Sequence, residues 1–115
     1  MSDLVVSLGQ GGGHLEQTER CKDIIRALIQ FPAFAELGFY IGINQEERML
    51  QRWYEWGRPQ TYLLYRTQSR DRCQYVEREL IDEFIGDPRN INRNRGGGGI
   101  NYANWYNVYM YFKEE

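Results

Sequence analysis

Histidine and lysine are nearly missing from this chain: His14 is the sole histidine, and Lys22 and Lys113 are the only lysines among 115 residues. One histidine leaves a Ser-His-Asp triad and a zinc site poorly supplied. Cysteine is scarce too. Cys21 and Cys73 lie far apart within apolar helical patterns and form no C-x-x-C. They read as buried thiols of a reducing compartment, not as a disulfide frame or metal ligands. The sequence shows no signal peptide and no long apolar run, so a soluble, intracellular, cytoplasmic protein is expected. A strong net charge is lacking as well. At −2, the chain offers no global attraction to nucleic acid or anionic lipid.

What is present is enough for a folded domain. Hydrophobic residues make up 42% and aromatics 15%, which builds a core and excludes a disordered chain. The length fits a single domain, 1–115. Nine tyrosines and three tryptophans are many for this length, so some must sit at the surface or line a groove. Positive charge is carried almost wholly by arginine, whose planar fork grips carboxylate or phosphate at two points. Codon composition or surface ion pairing would give the same bias.

The hydrophobic pattern predicts an alternating order. LVVSL (Leu4 to Leu8) reads as a strand, and Leu15 to Gln30 as a helix stopped by Pro32. Phe39, Tyr40, Ile41 and Ile43 make a second strand. Asn44 with Glu47 resembles an N-cap, and Met49, Trp53 and Trp56 follow at helical spacing before Gly57, a natural C-cap. TYLLYRT (Thr61 to Thr67) is the clearest strand. Ser69 then caps a helix with Cys73, Val76, Leu80 and Phe84 on its apolar stripe, ended by Gly86, Asp87 and Pro88. RNINRNRGGGG is a polar loop. The closing NWYNVYMYF alternates with apolar character on both faces, as a strand inside a sheet does. The order β-α-β-α-β-α-β predicts an α+β domain with a small central sheet of three to four strands flanked by three helices.

The glycines at 9, 11, 12 and 13 stand between a strand and a helix, where small residues let backbone N–H groups approach an anion. The third fingerprint glycine would fall at His14, and no Walker lysine follows. A flexible connector explains the same residues, so residues 1–14 are read as a strand plus a glycine-rich loop.

From Tyr40 onward the chain resembles the GIY-YIG nuclease family. FYIG (39–42) matches the second half of the name motif. Arg48-Met49-Leu50-Gln51-Arg52 follows the R-[L/M]-x-x-H pattern, with arginine in place of histidine. TYLLYRT supplies the next strand, and Glu77-Arg78-Glu79-Leu80-Ile81 matches E-x-x-L-I. Pro88, Asn90 and Asn92 occupy the region of the family's proline and asparagine. The likeness covers roughly 38–99, leaving 100–115 as a C-terminal strand. It departs from the family ahead of FYIG: no G-I-Y stands there, and a helix separates two strands that the family joins as a near hairpin.

The resemblance implies DNA binding and magnesium-dependent phosphodiester hydrolysis by an endonuclease, a hydrolase. It places Glu77 on Mg²⁺ (or another divalent metal), Arg48 on the phosphate oxygens, and Tyr40 positioning or deprotonating the water. It leaves Asn90 or Asn92 as the family asparagine. Arg52, Arg66, Arg70, Arg72, Arg89, Arg93 and Arg95 would hold flanking phosphates, with surface aromatics stacking on splayed bases. Each residue has an ordinary reading as well. Tyr40 fits as a strand aromatic, Arg48 as a solvated helix residue, Glu77 as a carboxylate at the rim of the core, and RNINRNR as a solvated loop. The competing function is a non-catalytic α+β interaction module that uses its aromatic strand or a sheet edge.

Overall fold

The computed structural model describes residues 5–7, 14–93 and 100–114. The glycine-rich stretch at 8–13, Arg95 and the glycine run at 96–99 lie outside the described residues.

The chain folds as a mixed α+β domain. Strands β1 (Val5–Ser7), β2 (Gly38–Gln45), β3 (Thr61–Thr67) and β4 (Tyr106–Lys113) alternate with helices α1 (His14–Ile29), α2 (Met49–Glu55) and α3 (Arg70–Phe84). One sheet forms in the order β1-β3-β4-β2. β4 runs antiparallel to both β2 and β3, while the short β1 lies parallel to β3 at one edge. No helix among the described residues is long and apolar enough to cross a membrane.

The period-2 pattern of β4 explains its central place. Val108, Met110 and Phe112 face the helices and sit opposite Ile43, Ile41 and Phe39 of β2. These residues join Cys21 and Ile25 of α1 and Cys73, Val76, Leu80 and Phe84 of α3 in one core. Both thiols are free and buried. Burial pushes Cys21 up to about 11, with Arg20 partly opposing, and it pushes Cys73 up as well, with Glu77 adding to the effect. Both stay protonated at neutral pH and are poor nucleophiles.

Local signals set several boundaries. The Ser69 side chain accepts a hydrogen bond from Arg72 N and starts α3. α2 ends in a Schellman arrangement in which Arg58 N donates to Trp53 O and Gly57 N to Tyr54 O, with Gly57 at φ 87°. Asn44 does not cap α2. β2 continues through Gln45 because Asn44 and Gln45 pair with Asn107 and Tyr106 of β4. The Asn44 amide points at Met49 instead, with Nδ2 2.9 Å from Sδ.

The two strands on either side of α1 do not pair. β1 and β2 lie at opposite edges of the sheet, and the antiparallel neighbour of β2 is β4, from the far end of the chain.

Candidate functional site

The sheet face away from α1 and α3 is lined by tyrosine. Tyr40 pairs with Tyr111 across β2 and β4, and Gly42 pairs with Tyr109. Residues directly opposite in an antiparallel pair share a face, so these three phenols form one patch. Tyr40 stacks on Tyr111 at 5.3 Å, and Trp56, just past α2, packs on Tyr109 at 4.8 Å and on Tyr111 at 5.0 Å. Gly42 makes this possible. A Cβ there would lie 2.6 Å from Tyr109 Oη and 2.9 Å from Tyr40 Cε1.

A cavity of about 720 Å³ takes in this patch together with side chains from the helix-packed side of the sheet, Ile43 of β2 and Glu77 and Ile81 of α3. Tyr40, Asn44, Tyr109 and Tyr111 line it from the sheet. Arg48, Arg52 and Trp56 line it from the α2 side, Glu77 and Ile81 from α3, and Asn92 and Arg93 from the segment after α3. Its volume suits one nucleotide-sized ligand. Three arginines face a single carboxylate there, so the wall carries an excess of positive charge although the whole chain is slightly acidic.

Of the residues singled out by the resemblance, Tyr40, Arg48, Glu77 and Asn92 line this one cavity. The Arg48 side chain makes no hydrogen bond or ion pair with the described residues, whereas Arg52 pairs with Glu55 at 3.3 Å. Glu77 is a buried carboxylate at 7% exposure. Asn92 reaches the cavity wall with its amide already engaged. Its Nδ2 donates to Ile41 O at 2.8 Å and its Oδ1 accepts from Ile41 N at 3.0 Å. The asparagine thereby imitates a neighbouring strand on the open edge of β2. Asn90 is not on the wall. It forms a bridge with Phe39, and its Oδ1 accepts from Asn92 N at 2.6 Å.

The flanking arginines scatter. Arg66 is held by Glu46, with Nη2 2.9 Å from Oε2, and its guanidinium lies 3.6 Å from the Trp105 ring. Arg70 stacks on Tyr102 at 4.1 Å. Arg89 pairs with Asp87 and donates to the Phe34 and Ala35 carbonyls. Arg72 is exposed on the first turn of α3. Only Arg52 and Arg93 of this set line the cavity among the described residues.

Electrostatics separates the two roles implied for Tyr40. Burial raises its phenol above the ordinary value, and the Glu77 carboxylate raises it further. Tyr109 is raised by burial, then by Tyr40, Tyr111 and Glu77, with Arg52 opposing; Tyr111 is raised by burial and by Tyr40. All three stay protonated at neutral pH, so they are hydrogen-bond donors there and not bases. Sequence reasoning missed Tyr109, Tyr111, Trp56 and Asn44. The alternation of β4 put the two tyrosines on one face, but nothing local named β2 as its partner.

No family model matches the chain, no curated protein matches it, and no solved structure matches its fold.

Proposed function

We propose that the cavity binds the phosphodiester backbone of a single-stranded nucleic acid, and that the chain is a diverged nuclease-like domain related to the GIY-YIG enzymes. The observation that carries this reading is the shared cavity of Tyr40, Arg48 and Glu77, joined by Arg52 and Arg93. Arg48 holds the non-bridging phosphate oxygens, and its guanidinium has no carboxylate partner among the described residues to compete with them. Tyr40 and Tyr109 donate hydrogen bonds to the phosphate or to an attacking water. On this reading Tyr109 of β4, opposite Gly42, would take the part of the tyrosine for which the N-terminal segment has no counterpart.

Hydrolysis by this arrangement uses a divalent metal. Among the described residues no three of His, Cys, Asp and Glu cluster, so a protein cage for the ion is not available there. A single hard carboxylate with waters and substrate phosphate completing the shell suits Mg²⁺, and Glu77 is the residue that would hold it. When bound, the ion supplies counter-charge to the phosphate and polarises water. Arg48 orients the phosphate, and the apolar side chains of Ile43 and Ile81 limit water on one wall.

A second reading, binding without cleavage, is favoured by one observation. The cavity phenols are held protonated, so the wall offers no phenolate base. Single-stranded oligonucleotides separate the readings. Binding through the three cavity arginines weakens with salt at a log–log slope of about −2, and Arg48→Ala lowers that slope by about 0.7. Cleavage that needs Mg²⁺ and disappears in Glu77→Gln, with binding kept, supports the enzyme. Binding with no cleavage by the wild type supports the second reading, and no retention at low salt overturns both.

A further inference from the structure

Two buried asparagines stand opposite each other on the tyrosine-lined face. Asn44 of β2 is in register with Asn107 of β4. Asn44 is 6% exposed and Asn107 1%. Their amides are unsatisfied: Asn44 Oδ1 and both polar atoms of the Asn107 side chain are buried without a hydrogen-bond partner. Asn44 Nδ2 faces the Met49 sulfur. A thioether accepts weakly and donates nothing, which orients the amide with N–H toward sulfur and leaves the carbonyl oxygen unused. Asn44 also lines the cavity. A ligand in the cavity that satisfied Asn44 Oδ1 would have to bring an O–H or N–H donor to it.

We infer that Asn44 reads the ribose 2′-hydroxyl, so that the ligand is single-stranded RNA and not DNA. The inference rests on the phosphodiester reading above. In a polynucleotide the 2′-hydroxyl is vicinal to the 3′-phosphate oxygen and recurs at every residue. Base amino groups vary with sequence and lie beyond the glycosidic bond. DNA has no donor at this position. Asn107, directly opposite Asn44, is buried and does not line the cavity, so the cavity presents Asn44 alone of the two amides.

The test uses fluorescence anisotropy with three oligomers of one length, about 12 nucleotides. They are uridine, deoxyuridine and 2′-fluoro-deoxyuridine, the last keeping a ribose-like pucker without the donor. The uridine oligomer is expected to bind about tenfold more tightly than either of the others, the effect of one hydrogen bond to a buried acceptor. In Asn44→Leu the uridine-to-deoxyuridine ratio falls to about one; if that variant fails to fold, Asn44→Ser is read in its place. Equal wild-type affinities mean that an ordered water satisfies Asn44, which overturns the inference and leaves the phosphodiester reading standing. Tight binding of the fluoro oligomer shows pucker readout and overturns it too. Absence of salt-sensitive binding to any oligomer removes the phosphodiester reading itself.

Discussion

Tyr109 lies over Gly42, its cross-strand partner, so closely that a methyl group on Gly42 would fall 2.6 Å from the phenol oxygen and 2.8 Å from Cζ. Trp56 also packs on this ring, at 4.8 Å. A side chain at Gly42 must therefore displace the aromatic rings of the patch. Gly42→Ala is expected to destabilise the fold by about 1–3 kcal/mol, the cost of overpacking a well-filled site. The same substitution in a Tyr109→Ala background should cost much less, because the ring that clashes is gone. Denaturant unfolding of the four proteins measures the coupling. Additive effects would show that the ring and the glycine are independent.

Burial in the same patch makes stability sensitive to alkali. Tyr40, Tyr109 and Tyr111 all have folded-state values above the ordinary 10.0. The folded state favours their neutral form, so its contribution is complete below the unfolded value and is lost as pH rises through the folded values. The protein should lose stability above pH 10, and part of its tyrosine absorbance change should coincide with unfolding. Tyr109→Phe is expected to reduce that alkaline loss. Smooth titration of every tyrosine near 10 with circular dichroism unchanged would contradict the packing described for all three.

How much of this was legible beforehand depended on how local each signal was. TYLLYRT became β3 with its bounds unchanged, and Ser69 caps α3, because β-branched alternation and a capping hydroxyl act within a few residues. The local pattern at Asn44 suits a cap, whereas pairing with Asn107, some sixty positions later, extends the strand. Sheet order is non-local in the same way. Nothing near FYIG in sequence says that β4 will lie beside it. Tyr40, Arg48 and Glu77 line one cavity, but Asn90 and Asn92 serve the β2 edge, a backbone need that sequence patterns do not display.

The thiols should be silent until the fold opens. Cys21 and Cys73 are fully buried, and burial raises both. An aromatic disulfide reagent at pH 8 should label neither cysteine in native protein and both in guanidinium. The native labelling rate should track global opening, because the core that shields them spans α1, α3 and the sheet. Fast labelling of one thiol in native buffer would show that its helix opens separately.

Asn92 gives the last test, because one side chain closes the open edge of β2. Its amide both donates to and accepts from Ile41, while Ile91 N donates to Phe39 O and Phe39 N donates to Arg89 O. Together these contacts cover Phe39 to Ile41 as a neighbouring strand would. Asn92→Ala removes both partners of Ile41 and uncovers strand edge beside the cavity. The cost of leaving these backbone groups to water, or unpaired, is about 1–3 kcal/mol. Exposed strand edges also recruit other strands. The variant should therefore unfold at lower denaturant and show concentration-dependent association by light scattering, while Asn90→Ala, whose side chain does not touch β2 backbone, should associate less. If Asn92→Ala keeps wild-type stability and stays monomeric, the amide is not what closes this edge, and its place on the cavity wall would instead leave it available to a ligand.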